Sequence, residues 1–266
     1  MRLHHLDDST DPRIAAYADI RERDLVGRQG HFIAEGEVVL RVLAEHARGA
    51  LQSVLVSEKR VEKVSPFLSE LDIDVFAIPD AVMEAVTGIE LHRGILGLGT
   101  RFTGATPGEV LDGEGPAFAL GLFGLANHDN VGGIFRNAAA FGARGALLDS
   151  GSCDPFYRKA IRVSVGGVFK VPFFRGMDPL QLVDAFEASG YECVALSPNG
   201  REDLVSARFS EKTALLLGAE GPGLDDSVLK RVRNVRIAMK EGFDSLNVAA
   251  SSAIALHALF ERIRAR

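Results

Sequence analysis

The chain has 266 residues, 47% of them hydrophobic and 25% charged, which is enough apolar material for a core in each of two domains. No stretch approaches the roughly 18 to 20 uninterrupted apolar residues of a membrane span, and the start Met1-Arg2-Leu3-His4-His5-Leu6-Asp7-Asp8 lacks the apolar core of a secretion signal, so a cytoplasmic protein is expected. The net charge of −6 excludes a broadly basic nucleic-acid surface, and the two cysteines, Cys153 and Cys193, lie far apart without ligand-spaced partners, which excludes a structural zinc or a disulfide framework.

Along the chain, an extended piece at 31–34 precedes a helical pattern over Val38, Val39, Leu40, Val42 and Leu43. Apolar strand-like runs recur at 51–56, 75–78 and 94–98, separated by helical patterns at 64–71 and after Pro79-Asp80, so residues 1–104 read as one small α/β domain. Within it Gly36 and Gly94 read as turn residues, and Glu35 as an exposed charge. Residues 105–115 collect turn formers without a period and read as a linker. Beyond it, strands are expected at 117–122, 146–148, 192–196, 213–217 and 235–239. Helices are expected at 129–141, after Asp154-Pro155, and at 178–188, 225–232 and 247–264. Alternation at this spacing predicts a mostly parallel sheet covered on both faces, in a domain spanning 116–266.

Parallel sheets gather ligands at the carboxyl ends of their strands, which singles out three loops. The first, Asn127-His128-Asp129-Asn130-Val131-Gly132-Gly133-Ile134-Phe135-Arg136, enters a helix whose buried stripe is Ile134, Ala138 and Phe141. Arg136 sits roughly 200° around that helix from Ile134, facing away from the core. Alone, Arg136 reads as solvated surface and Asn130 as a cap or turn residue. The second loop, Gly218-Ala219-Glu220-Gly221-Pro222-Gly223-Leu224, has neither the G-x-G-x-x-G dinucleotide spacing nor the Lys-Ser/Thr of a phosphate-binding loop, so nucleotide hydrolysis and hydride transfer are unsupported. Alone, it is a Gly-Pro turn. The third runs from Ile237-Ala238-Met239 to Ser245-Leu246-Asn247-Val248, with Asp244 or Ser245 a candidate cap and small residues 249–253 allowing close packing.

Taken together, in order and spacing, Asn130-x-Gly132-x-x-x-Arg136, Leu217-Gly218-x-Glu220-Gly221-x-Gly223-Leu224 and Ile237-x-Met239 with Ser245-Leu246-Asn247-Val248 resemble the three motifs of the SpoU (TrmH-like) branch of the SPOUT methyltransferases. Departures from the family pattern are His128, Ala219, Ala238 and Ala249, of which Ala219 and Ala249 each remove a polar contact. Residues 23–39 and the Arg93-Gly94 strand resemble the RNA-recognition domain that precedes the catalytic domain in many members.

The resemblance implies an S-adenosylmethionine-dependent RNA ribose 2′-O-methyltransferase, with rRNA ahead of tRNA, no metal, a trefoil knot in the C-terminal domain and a homodimer formed through it. It implies a cofactor wall of Gly218, Ile237, Met239, Ser245 and Leu246, joined by Leu196 and Ser197. It implies a catalytic group of Asn130, Arg136, Glu220 and Asn247, and RNA contacts from Arg23, Arg28 and Arg93. Arg136 is the family's proposed base, but a guanidinium has no acceptor site. Two versions stand: an unusually perturbed Arg136, or an Arg136 that orients the hydroxyl or a phosphate while another group takes the proton. The competing class is an RNA-binding or ribosome-assembly protein that keeps the fold without catalysis.

Overall fold

The computed structural model describes residues 1–18, 20, 30–88, 93–102, 105–242 and 245–264. The chain divides into two compact units, Met1–Thr103 with Phe156–Lys170, and Gly104–Pro155 with Val171–Arg266.

In the first unit, strands β1 (Arg2–His5), β2 (His31–Glu35), β3 (Leu51–Ser57), β4 (Asp74–Ile78) and β5 (Ile95–Thr100) form a sheet in the order β1-β4-β3-β5-β2. β1, β4 and β3 are parallel, whereas β5 runs antiparallel to both β3 and β2. The unbroken burial of Val54, Leu55 and Val56 marks a sheet covered on both faces. Helix α1 (Glu37–His46) follows Gly36, whose φ of 97° only glycine adopts freely, and buries Val39, Leu40, Leu43 and Ala44. Helices α2 (Val61–Leu68) and α3 (Asp80–Thr87) complete the alternation, and α3 ends on the left-handed Gly88.

The second unit opens with α4 (Pro107–Leu111), held by a capping box between Thr106 and Glu109, and its Val110 and Leu111 enter that unit's core. The turn-rich stretch expected to be a linker therefore contains a packed helix; five residues are too few for periodicity to reveal it. There follow β6 (Ala117–Leu122), α5 (His128–Phe141) and β7 (Ala146–Asp149), after which the chain contributes α6 (Arg158–Val163) to the first unit. It then supplies β8 (Phe173–Met177), α7 (Pro179–Ala188), β9 (Glu192–Leu196), β10 (Glu202–Asp203), β11 (Lys212–Leu217), α8 (Asp226–Arg231), β12 (Arg233–Arg236) and α9 (Val248–Arg264). The sheet order is β10-β12-β9-β11-β6-β7-β8 with every pair parallel. Successive strands leave β6 in opposite directions, so the topological switch point lies between β6 and β11. Among the described residues no helix is long and apolar enough to cross a membrane.

Three further differences from the sequence reading have physical causes. β12 ends at Arg236, three residues before the apolar run does, because Ile237 to Met239 leave the ladder. β1, β8 and β10 escaped notice because they are short edge or near-edge strands with incomplete burial. Glu35 is buried at 7% exposure, not exposed: Arg158 Nη1 donates to its carboxylate at 2.8 Å and Arg162 Nη1 lies 3.7 Å away. That pair joins residues 123 apart, and in the same unit Phe32 stacks on Phe156 and lies tilted against Phe169, with ring centroids at 5.1 and 5.3 Å.

Phe32 also faces Gly99 across the β2/β5 ladder, and a Cβ on Gly99 would lie 2.2 Å from its ring. Gly99→Ala is therefore expected to lower stability by about 1–3 kcal/mol, read by urea denaturation, because the fully buried ring has nowhere to move.

Candidate functional site

The parallel ladders place the carboxyl ends of β6, β11, β9 and β12 along one edge. Leu217 pairs with Leu122, Leu216 with Ala195, and Leu196 with Val235, so Gly218, Ser197 and Ile237 leave the sheet side by side. Ser197 N donates to Val235 O at 2.9 Å, fixing two of these exits together. Gly218 must be glycine, since a Cβ there would sit 2.3 Å from the Gly223 carbonyl carbon and 2.4 Å from Leu224 N. The turn back is closed by Gly223 N donating to Ala219 O at 3.0 Å.

Three of the expected catalytic residues meet at this edge. Asn247 Nδ2 donates to Asn130 Oδ1 at 2.9 Å and to Glu220 Oε1 at 3.0 Å. Asn130 is only 4% exposed and does not cap its helix; Asn127 does, accepting from Asp129 N at 2.9 Å. The cap of α9 is Asn247 itself, whose Oδ1 accepts from Ala249 N at 2.9 Å and Ala250 N at 3.2 Å. This corrects the expectation of Ser245 as the cap; the alternative, Asp244, lies outside the described residues. One asparagine amide thus fastens α5, the 218–224 loop and the start of α9.

Helices α5 and α9 approach closely because Gly133 lies against Ala249, where an added Cβ would be 2.8 Å from the alanine methyl. Asn137 Nδ2 then donates to Ala249 O and to Ser252 Oγ, each at 2.8 Å, and Ser252 is fully buried. Sequence reasoning missed Asn137. The signal was the spacing Asn130, Gly133, Asn137 at i, i+3, i+7, a small and polar stripe beside the apolar one. It also missed Asp149, whose buried carboxylate accepts from Gly124 N at 3.0 and 2.9 Å, Ser152 N at 2.8 Å and Ser152 Oγ at 2.7 Å, holding the loop that leaves β6.

Arg136 is not joined to the asparagine cluster: it is exposed on α5 and has no hydrogen-bond or ion-pair partner among the described residues. Ile237, Met239, Leu196 and Ser197 are half-buried at the strand ends, while Ser245 is exposed and Leu246 is 39% exposed. The main-chain groups of 237–240 have no hydrogen-bond partner among the described residues. Arg93 is an exposed side chain beside Gly36 in the first unit, whereas Arg23 and Arg28 lie outside the described residues. Burial pushes the thiols of Cys153 and Cys193 up to about 11 and about 12, so neither is a thiolate nucleophile near neutral pH. Among the described residues no three His, Cys, Asp or Glu side chains are grouped to hold a metal ion.

The motif loops fall inside residues 117–257, which match the family model described as the SpoU rRNA Methylase family. The chain belongs to that family. It is an RNA methyltransferase of the SpoU type, similar at 35% identity to a protein of Mycobacterium tuberculosis called an uncharacterized tRNA/rRNA methyltransferase, over 97% of this chain and 90% of that one. Its fold is similar to the AdoMet-bound rRNA methyltransferase of Sinorhizobium meliloti, with a TM-score of 0.81 and 22% identity over 98% of each chain. A structure titled RNA 2′-O ribose methyltransferase is similar with a TM-score of 0.79 and 25% identity, over 99% of this chain and 100% of that one. Within the SpoU frame, the α5/α9 contact has a direct check. Gly133→Ala is expected to cost about 1–3 kcal/mol by chemical denaturation, and Ala249→Gly in the same chain to restore most of it; no recovery would mean that the two positions do not share the space.

Proposed function

We propose that this SpoU-family chain transfers a methyl group from S-adenosylmethionine to a ribose 2′-hydroxyl in RNA, with rRNA ahead of tRNA as the substrate. The observation that carries the reading is the Asn130–Asn247–Glu220 cluster, set beside the strand exits at Gly218, Ser197 and Ile237. The edge fits such a cofactor. The main-chain groups of 237–240, without partners among the described residues, suit the polar edge of an adenine, and Ile237, Met239, Leu196 and the exposed Leu246 supply apolar contact, with Gly218 and Ser245 completing the wall. The chemistry supplied there is an electrophilic methyl group carried on a sulfonium.

This chain's own residues must place a hydroxyl oxygen in line and receive its proton. Asn130 Oδ1 accepts from Asn247 Nδ2, and the same amide donates to one carboxylate oxygen of Glu220, which orients that side chain. Glu220 is the member of the group with acceptor capacity for a proton; Arg136, a permanent donor, orients the hydroxyl or a flanking phosphate. Arg93, with Arg23 and Arg28, belongs to the RNA-binding side of the proposal. The outward Arg136 and the exposed Ile254 on α9 support a homodimer in which Arg136 meets a cofactor held by the partner. A trefoil knot in the C-terminal domain is part of the same reading.

Arg136→Ala is expected to lower methyl transfer by at least about a hundredfold while cofactor affinity by calorimetry stays within about twofold; a matching loss of cofactor affinity would overturn the assignment. Mapping 2′-O-methyl sites in total RNA from cells with and without the protein tests the reaction itself: one site that disappears supports it, and an unchanged map refutes it. Light scattering at micromolar concentration is expected to give twice the chain mass.

A further inference from the structure

Residues 197–211, between β9 and β11, run along β12 and bear on its last residues. Beyond the Ser197–Val235 bond, β10 pairs in parallel with β12 through Glu202↔Val235 and Asp203↔Arg236, and Leu204 N donates to Arg236 O at 2.8 Å. Gly200 is pressed so near this strand that a Cβ would lie 2.3 Å from the Val235 carbonyl carbon. Arg236 Nε adds an ion pair to Asp203 at 2.7 Å. The next residues after Arg236 are Ile237 to Met239. Wherever this loop goes, the proposed cofactor wall goes with it.

The far side of the loop is fastened by one side chain from the last turn of α9. Arg262 Nη2 donates to Leu204 O at 3.0 Å and to Val205 O at 2.9 Å, Nη1 donates to Ala207 O, and the guanidinium lies over the Phe209 ring at 4.7 Å. The planar fork of arginine suits such a clamp, because several carbonyls are met at once while the flat face stacks on an aromatic ring. A cavity of about 510 Å³, lined by Phe209, Ser210, Leu259 and Arg262 among others, opens beside the fork, so side-chain packing alone does not fill this corner. Arg262 stands 15 residues after Asn247, about 22 Å along a helix, too far to touch the reacting atoms.

We propose that Arg262 is a positioning residue for the cofactor wall: by clamping the 204–207 carbonyls it holds the loop against β12, and through β12 sets the main chain of Ile237 to Met239. The inference rests on the reading of that edge as the S-adenosylmethionine site. Its mark is selective. Loosening the clamp raises the cofactor Kd without touching the polar cluster that handles the hydroxyl, since Asn130, Glu220 and Asn247 are held from the opposite end of α9.

The test is calorimetric titration of S-adenosylmethionine into the full-length wild type, Arg262→Ala and Arg262→Lys, with thermal unfolding of each and methylation of deproteinised rRNA at varied cofactor. Arg262→Ala is expected to weaken cofactor binding about tenfold, raising the cofactor KM likewise, with kcat at saturating cofactor and the KM for RNA within about twofold of wild type. Arg262→Lys keeps the charge but not the fork, and is expected to weaken binding by a smaller factor. A folded Arg262→Ala with wild-type cofactor Kd overturns the proposal, as does a fall in kcat with an unchanged Kd. Should Arg262→Ala not fold, the lysine variant decides by the same readout: weakened cofactor binding supports the clamp and a wild-type Kd overturns it. A wild-type protein that itself fails to bind S-adenosylmethionine would instead sink the cofactor reading, and this inference with it.

Discussion

The contact between Gly133 and Ala249 is the constraint on which the site depends. With a hydrogen atom where any other residue carries a Cβ, α5 and α9 come close enough for Asn137 to reach Ala249 O and Ser252 Oγ. The same approach brings Asn247 within hydrogen-bond distance of Asn130. A helix pair held farther apart would leave Asn130 buried without a partner, which is costly for an amide. Close packing and polar satisfaction are therefore one condition, met or lost together.

Around that contact, two kinds of order divide the work. Side chains carrying the polar chemistry are fixed by one another: Asn247 commits its amide nitrogen to Asn130 and Glu220 and its oxygen to the first turn of α9. The proposed cofactor wall is made chiefly of backbone instead, at the place where β12 stops and main-chain groups lose their ladder partners among the described residues. Backbone left unpaired at a strand end is poor for stability and well suited to recognising a flat polar edge. Asp149 applies the same logic from beneath: a buried carboxylate accepting from main-chain and hydroxyl donors, it shapes the loop that delivers Asn127 and Asn130.

The first unit is stabilised differently. Glu35 is a buried carboxylate at the end of β2, and its partners, Arg158 and Arg162, come from a segment that interrupts the second unit's sequence. Removing one partner from such a pair leaves an uncompensated charge, so the segment and the strand are mutually dependent. The packed Phe32, Phe156 and Phe169 rings add apolar area to the same unit. None of this is local in sequence, which is why Glu35 read as a surface charge.

The amino-acid sequence by itself determined the alternation of strands and helices in both units, the parallel character of the second sheet, and, through three ordered motifs, the family. Those follow from period, spacing and residue type, which are local properties. Only the tertiary structure decided that Asn247 rather than Ser245 caps α9, that Asn137 and Asp149 support the site, that Glu35 is buried, and that residues 156–170 pack with the first unit. Each depends on partners at least 25 residues away or on which of several polar neighbours wins a hydrogen bond. Arg136 stands between the two: its outward face was legible from helical geometry, and the structure leaves it exposed on that face.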